Sequence, residues 1–113
     1  MENRNKDSPI AYICSPYSGD VERNTELARR YSRLAFDRGY VPLTPHLFLP
    51  AFVSEETERD KALAAGLRLL SACQEIWICG GTVSSGMRQE IQYAQAHGIP
   101  MRHVKEEELN VRD

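Results

Sequence analysis

Short apolar segments rich in β-forming residues alternate with longer segments of helical periodicity along the chain of 113 residues. The first apolar segment, Ile10–Cys14, precedes a stretch in which Leu27, Tyr31, Leu34 and Ala35 recur at helical spacing. Because parallel strands need long crossover connections, which helices usually supply, this alternation predicts a parallel sheet covered by helices on both faces. The expected class is therefore a three-layer α/β fold of flavodoxin or Rossmann type.

Four strands and three helices are predicted in the order β-α-β-α-β-α-β. The strands are expected at residues 10–14, 40–43, 75–79 and 99–104, and the helices at residues 20–38, from about 54 to 70, and 86–97. The second helix has two alternative starts, an acidic entry after Ser54 and a capping box formed by Thr57 and Asp60. Right-handed crossovers leave few topologies, and the commonest at this size has strand order 2-1-3-4.

Two apolar features concern the middle of the chain. Leu63, Leu67 and Leu70 are expected to form the buried stripe of the second helix. The segment 46–53 is loop-like but unusually apolar, and it contains Phe48 and Phe52. Three roles are open for these two rings: to cover a nucleobase, to fill a hydrophobic patch or to form a subunit contact. We expect a homo-oligomer, at least a dimer.

The bulk properties suit one domain spanning residues 1–113, with a flexible N-terminus (1–8) and a charged tail (105–113), helical or frayed, at its ends. The hydrophobic fraction is 42%, enough for a core, and the formal net charge is -2 without a basic stripe, so no nucleic-acid polymer is expected as a partner. No segment is apolar enough to span a membrane, and residues 1–8 do not resemble a signal peptide. We therefore expect a cytoplasmic protein that does not bind membranes.

The three cysteines, Cys14, Cys73 and Cys79, favour reduced, buried thiols in a reducing compartment. Cys14 follows a predicted strand and has the alternative role of a nucleophile, but apolar surroundings favour a core thiol. No C-x-x-C or H-x-x-x-H pair occurs, so we expect no metal, and nothing implies a cofactor.

A binding site is expected where the carboxyl ends of the first and third strands meet, since ligands of such sheets bind where the strand order reverses. Two loops rich in serine and glycine meet there, residues 15–20 and residues 80–86, and both lead into helices. Helix N-termini bind anions, phosphate above all. Ser84 and Ser85 have the alternative role of simple helix caps.

Glu90 is the candidate reactive group. It lies at the edge of the stripe formed by Met87, Ile91 and Ala94, about one turn into the third helix, where a carboxylate is partly desolvated and still close to the loop. Such a group can attack an anomeric carbon or stabilise an oxocarbenium ion, and the alternative is a surface glutamate near a helix start. Neither a G-x-G-x-x-G motif nor a P-loop is present, so hydride transfer and ATP hydrolysis lose support.

The segment 84–94, which reads S-S-G-M-R-Q-E-I-Q-Y-A and is followed by G-I-P at 98–100, resembles the nucleoside 2-deoxyribosyltransferase superfamily. It is similar to the S-x-G-x-x-x-E-[LI]-x-x-A pattern of deoxynucleoside 5′-monophosphate N-glycosidases. Residues 66–70, Cys73, 75–77 and 85–87 resemble an uncharacterised DUF4406-like branch of that superfamily. The resemblance extends from about residue 10 to residue 104.

The resemblance implies a role for each matching residue. Glu90 is the implied nucleophile, which attacks C1′ and displaces the base of a nucleotide or nucleoside. The implied ligand-binding residues are Ser84 and Gly86 at the 5′-phosphate, Ser85 beside them, and Ser15, Tyr17, Ser18 and Gly19 in the first loop. Tyr17 is expected either to hydrogen-bond to Glu90 and orient it or to act as a packing residue.

The sequence departs from the superfamily at one position. Active relatives carry an aspartate on the helix before the third strand, and residues 64–68 read A-A-G-L-R here. Asp60 lies earlier on that helix, and Glu55, Glu56 and His46 are candidate substitutes. The departure leaves two hypotheses: an enzyme acting at the N-glycosidic bond by hydrolysis or transfer, and a non-catalytic module that binds or sequesters a nucleotide signal.

Overall fold

The strands form one parallel sheet whose order, β2-β1-β3-β4, confirms the topology expected from the sequence. The computed structural model describes residues 7–110. Its strands are β1 (Ile10–Cys14), β2 (Val41–Leu43), β3 (Glu75–Cys79) and β4 (Met101–Val104). In the centre of the sheet, Ile13 of β1 lies beside Trp77 of β3. The chain order reverses between β1 and β3, which is where the sequence predicts the binding site.

Three helices cover the sheet: α1 (Val21–Asp37), α2 (Arg59–Leu70) and α3 (Ser85–Ala96). The side chain of Asp20 accepts a hydrogen bond from the backbone N–H of Arg23 at 3.1 Å and so caps α1, as predicted. The helix ends before Gly39, whose φ of +95° is a conformation that L side chains rarely adopt.

The two faces of the sheet bury different helices because successive side chains of a strand point to opposite sides. Ala11, Ile13 and Trp77 belong to a core cluster with α1, whereas Tyr12 and Cys14 belong to a cluster with α2 and α3. Both faces are covered, which explains why the central strands are apolar throughout rather than alternating.

Helix α2 differs from the prediction in its start and in its buried face. It begins at Arg59, because the preceding residues form a separate turn in which Ser54 accepts from the N–H of Thr57 and Glu58 accepts from the N–H of Ser54. Its fully buried residues are Ala62, Gly66 and Leu70, so of the expected leucine stripe only Leu70 is fully buried.

Within residues 7–110, three short 3₁₀ turns complete the regular secondary structure. Two of them, Pro45–Leu47 and Leu49–Ala51, make up most of the apolar loop, and a third, Glu106–Asn110, follows β4. Most of the N-terminus expected to be flexible and the last three residues of the charged tail lie outside the described residues. Within residues 7–110, no helix has both the length and the apolar character needed to cross a membrane.

Candidate functional site

A cavity of about 80 Å³ opens at the carboxyl edge of the sheet, on the side of α2 and α3. We call it the Glu90 cavity. It lies between the loop after β1, the first 3₁₀ turns, α2 and the N-terminal turns of α3. The predicted site residues that line it are Tyr17, Ser18, His46, Ser84, Gly86 and Glu90.

Glu90 lies on the second turn of α3 and is only 7% exposed, more deeply buried than a position at the edge of a helix stripe suggests. Its Oε2 accepts a hydrogen bond of 2.6 Å from the phenol of Tyr12. Its Oε1 accepts a hydrogen bond of 3.3 Å from the thiol of Cys14. The strand therefore holds both carboxylate oxygens in fixed positions beside the cavity.

Burial raises the pKa of Glu90, and the hydrogen bonds from Tyr12 and Cys14 act in the opposite direction because they favour the ionised form. The pKa values of the Tyr12 phenol and the Cys14 thiol are themselves raised, first by burial and then by the charge of Glu90. Both groups therefore keep their protons at neutral pH and remain donors. Cys14 is accordingly a core thiol and not a thiolate nucleophile.

Gly66 of α2 lies directly above this pair. A Cβ atom on Gly66 would stand 2.9 Å from the Tyr12 hydroxyl oxygen and 3.5 Å from Oε2 of Glu90. The first distance is shorter than a van der Waals contact allows, so only glycine fits without a shift of the tyrosine. The absence of a side chain at position 66 thus leaves room for the hydrogen bond between Tyr12 and Glu90.

Ser84, Ser85 and Gly86 lie at the N-terminus of α3, as expected, but their positions relative to the cavity differ. Ser84 is the N-cap, and its Oγ accepts from the N–H of Met87 at 3.2 Å. Ser84 and Gly86 both line the Glu90 cavity, and Ser85, the first helical residue, is not among its lining residues. The helix-capping role considered for Ser84 is therefore confirmed, and Ser84 also lines the Glu90 cavity.

Tyr17 and His46 both line the Glu90 cavity, and their ring centroids are 5.1 Å apart. The hydrogen bond to Glu90 that the sequence analysis considered for Tyr17 is donated by Tyr12 instead. Burial lowers the pKa of His46 to about 4, so the imidazole is neutral at pH 7, and its buried Nδ1 has no hydrogen-bond partner among the described residues.

The other residues of the first loop are distributed differently. Ser15 is only 2% exposed and lines a second cavity on the α1 side of the sheet, while Ser18 lines both cavities. Gly19 has a φ of +98° in the turn before α1 and belongs to neither lining. The positive φ of Gly19 shapes this loop, and its part in ligand binding stays a prediction.

The sequence analysis did not identify Tyr12 and Gly66 as residues of the site, and it did not identify Cys14 as a hydrogen-bond donor to Glu90. Tyr12 was assigned only to a strand and Cys14 was considered as a core thiol or a nucleophile, although a period of two places both on one face of the strand. That face packs against the helix that carries Glu90. The period was therefore the signal that could have identified them, whereas no local signal identifies Gly66.

Besides Glu90, one other carboxylate among the described residues lines the Glu90 cavity. Helix α2 contributes Arg59, Ala62, Leu63 and Gly66 to the lining, and no acid. Glu55, in the loop before α2, lines the cavity, whereas Glu56 and Asp60 do not. Within residues 7–110, no three His, Cys, Asp or Glu side chains are grouped so as to hold a metal ion.

Solved structures of two enzymes share this fold. The 2-deoxyribosyltransferase of the psychrotolerant bacterium Bacillus psychrosaccharolyticus superposes with a TM-score of 0.66 and 18% identity, over 85% of this chain and 72% of that one. The 2-desoxiribosyltransferase of Leishmania mexicana superposes with a TM-score of 0.62 and 19% identity, over 86% of this chain and 64% of that one. At such low identity the similarity establishes the fold, and the chain spans less than two thirds of the second enzyme.

No curated protein sequence matches the chain significantly. One family model does match, DUF7768, a domain of unknown function, over residues 9–104. The DUF4406-like relationship and the N-glycosidase motif stay predictions. The chain belongs to the DUF7768 family, which here has the fold of the 2-deoxyribosyltransferases.

Proposed function

We propose that the protein is an enzyme that breaks the N-glycosidic bond of a nucleoside or a nucleoside 5′-monophosphate, with Glu90 as the nucleophile. The observation that carries the proposal is the Glu90 carboxylate itself, buried, held by Tyr12 and Cys14, and lining a cavity at the reversal point of the sheet. A buried carboxylate is costly to maintain, and carboxylates with perturbed pKa values cluster at functional sites. The 2-deoxyribosyltransferases of the same fold and the S-x-G-x-x-x-E pattern support this chemistry.

The proposed reaction is a double displacement. An oxygen of Glu90 forms a bond to C1′ while the C1′–N bond breaks, and the electron pair of that bond leaves with the base, which takes a proton. Water, or a second base in a transfer reaction, then attacks C1′ and releases Glu90. Because Tyr12 and Cys14 fix both carboxylate oxygens, the nucleophile is oriented before the substrate binds.

We assign the protonation of the leaving base to Glu55, the second carboxylate of the cavity. Glu55→Gln should lower turnover about 10²- to 10⁴-fold, the usual contribution of a general acid. Glu56→Gln, the matched control, should not change it, since Glu56 is exposed and outside the cavity. A substrate whose base leaves as a neutral molecule, such as a 7-methylpurine nucleoside, should be affected far less; equal losses on both substrates would contradict the assignment.

We further propose that the preferred substrate carries a 5′-phosphate. Ser84 and Gly86 place the N-terminus of a 12-residue helix at the cavity, and Arg59 supplies a cation to its lining. Arg59→Gln should therefore reduce kcat/KM for a nucleoside monophosphate more than for the corresponding nucleoside. Arg88→Gln, on the exposed face of α3, is the control. If Arg59→Gln affected both substrates equally, the phosphate would not be bound there.

The decisive experiment is chromatographic detection of free base from ribo- and deoxynucleosides and their 5′-monophosphates. Wild type and Glu107→Gln, an exposed control, should release base, and Glu90→Gln should not. Release that persists in Glu90→Gln would refute the role of Glu90. A burst of base equal to the enzyme concentration, with the sugar bound to the protein, would identify the covalent intermediate.

The absence of an acid in the part of α2 that lines the cavity favours a second candidate, a module that binds a nucleotide without converting it. This candidate predicts that wild type releases no base from any substrate and that Glu90→Gln binds the nucleotide as tightly as wild type. Isothermal titration with the same panel of nucleotides distinguishes the two.

A further inference from the structure

A second cavity, which we call the Ser15 cavity, opens on the α1 side of the sheet. It measures about 210 Å³, more than twice the volume of the Glu90 cavity. The loop after β1, the first three turns of α1, the Gly80–Gly81–Thr82 segment after β3 and Glu106 surround it. Glu90 does not line it, and Ser18 is the one described residue common to both linings.

Two residues of the Ser15 cavity lining carry a buried hydroxyl group that has no hydrogen-bond partner within residues 7–110. The Oγ of Ser15 and the Oη of Tyr31 are buried and unpaired, and the two residues are only 2% and 1% exposed. Buried polar groups are almost always hydrogen-bonded, and leaving one unpaired costs about 1–3 kcal/mol. Among the described residues, His46 has the third such atom, and it lines the Glu90 cavity. Unpaired buried groups therefore coincide with the two cavities, as expected where a ligand completes the hydrogen bonds.

The charges of the lining indicate a neutral ligand. Arg23 and Glu106 are its two charged residues, and they form an ion pair of 3.2 Å at the half-exposed mouth. A phosphate would face the carboxylate of Glu106, and a cation would face Arg23. A neutral molecule meets neither repulsion, and the ion pair offers it a donor and an acceptor side by side.

The shape and polarity of the lining indicate a flat ring. Pro16, Leu27 and Cys79 are apolar, and Gly80 and Gly81 present backbone without side chains. A Cβ atom on Gly81 would meet nothing within 4 Å, so the space beside that backbone is open. A polyol would place hydroxyls against these apolar walls, whereas a heterocycle has apolar faces and a polar edge.

We propose that the Ser15 cavity is a second small-molecule site that binds a neutral nucleobase, with the hydroxyls of Ser15 and Tyr31 hydrogen-bonded to its polar edge. The faces of the base pack between Leu27 and the Gly80–Gly81 backbone. This site is separate from the Glu90 cavity and does not depend on the reaction proposed there.

Titration of the ¹⁵N-labelled protein with adenine and with cytosine tests the proposal, with ribose and inorganic phosphate as probes that should not bind. The amide signals of Gly81 and Thr82 should shift and saturate, in wild type and equally in Glu90→Gln. Ser15→Ala and Tyr31→Phe should each weaken binding about tenfold, the effect of one lost hydrogen bond. The matched controls Ser85→Ala and Tyr93→Phe, outside both linings, should not.

Four results would overturn the proposal. These are no shift with either base, shifts confined to Gly86 and Met87, full affinity in Ser15→Ala and Tyr31→Phe, or the same shifts with ribose or phosphate. The spectra also report whether each variant is folded. Loss of binding through unfolding is therefore distinguished from loss of a hydrogen bond.

Discussion

Gly66→Ala tests the packing above Glu90 most directly, because two effects of the substitution have opposite signs. In a helix, alanine is favoured over glycine by about 1 kcal/mol. Against this, the new Cβ would stand 2.9 Å from the Tyr12 hydroxyl, which must move by about half an ångström to reach an ordinary contact of about 3.4 Å. That hydroxyl is fixed by its 2.6 Å hydrogen bond to Glu90.

The cost of the clash should exceed the gain in helix propensity. Overpacking a core costs about 1–3 kcal/mol, and a buried carboxylate that loses a donor costs about 1–3 kcal/mol more. We therefore expect the free energy of unfolding of Gly66→Ala to fall by about 1–5 kcal/mol in urea denaturation. Turnover should fall as well, since Glu90 loses its orientation. Ala65→Gly, at the exposed neighbouring position, gives the propensity effect alone.

A double-mutant cycle separates the clash from other causes. In a Tyr12→Phe background the hydroxyl is absent, so Gly66→Ala should be neutral or stabilising there. A Gly66→Ala protein as stable as wild type would refute the reasoning. So would an equal loss of stability in both backgrounds, because the tyrosine hydroxyl would then not be the obstacle.

Three further predictions concern the whole domain. Because the pKa of His46 is lowered from 6.5 to about 4, the folded state takes up fewer protons than the unfolded state between these two pH values. The free energy of unfolding should therefore fall by at most about 3 kcal/mol as the pH falls from 6.5 to 4. Acid titration of His46→Asn should lack this loss of stability. The three buried cysteines should be unreactive towards a thiol reagent in the native protein and should all react on unfolding. Light scattering should give at least twice the 12.8 kDa of one chain, since Phe52 is 72% exposed and Phe48 lies near it; a monomer at micromolar concentration would contradict this expectation.

The elements that the sequence predicted well are those whose boundary signals act locally. β1 and β3 have the expected limits because each is a mainly apolar run followed at once by residues that end strands, Ser15-Pro16 after β1 and Gly80-Gly81 after β3. In the same way, α1 has its cap at Asp20 and its stop at Gly39. Of the two predicted starts of α2, the earlier one after Ser54 was wrong, because the side chains of Ser54 and Glu58 satisfy backbone N–H groups in a turn that competes with the helix. The later start, capped by Thr57, lies within two residues of the observed start at Arg59. Such competition depends on energies that a residue pattern does not contain.

The candidate site likewise contains residues that a local pattern predicts and residues that only the assembled fold brings together. Glu90 and Ser84 could be identified from the sequence because their spacing on one helix is itself the pattern. Tyr12 is 78 residues away from Glu90 along the chain, and only the assembled sheet brings the two together. Gly66 has meaning only through the atoms above which it lies, and these belong to two other elements.

The surroundings of Glu90 combine two opposing requirements. A nucleophilic carboxylate must be ionised, yet burial raises its pKa and favours the protonated form. The hydrogen bonds from Tyr12 and Cys14 offset part of this effect, and both donors keep their protons because their own pKa values are raised. Since burial outweighs the hydrogen bonds, the pKa of Glu90 in the unliganded protein remains above the ordinary value of a glutamate.

This balance should be visible in the pH dependence of kcat/KM. Activity should be lost on the acid side as Glu90 is protonated, at a pH above the ordinary range of a glutamate. Cys14→Ala removes one donor to the carboxylate and should move this acid limb to higher pH, whereas Cys73→Ala, a buried thiol without contact to Glu90, should leave it in place. An acid limb that does not move in Cys14→Ala would show that the thiol does not influence the charge of Glu90, and the carboxylate would then depend on Tyr12 alone.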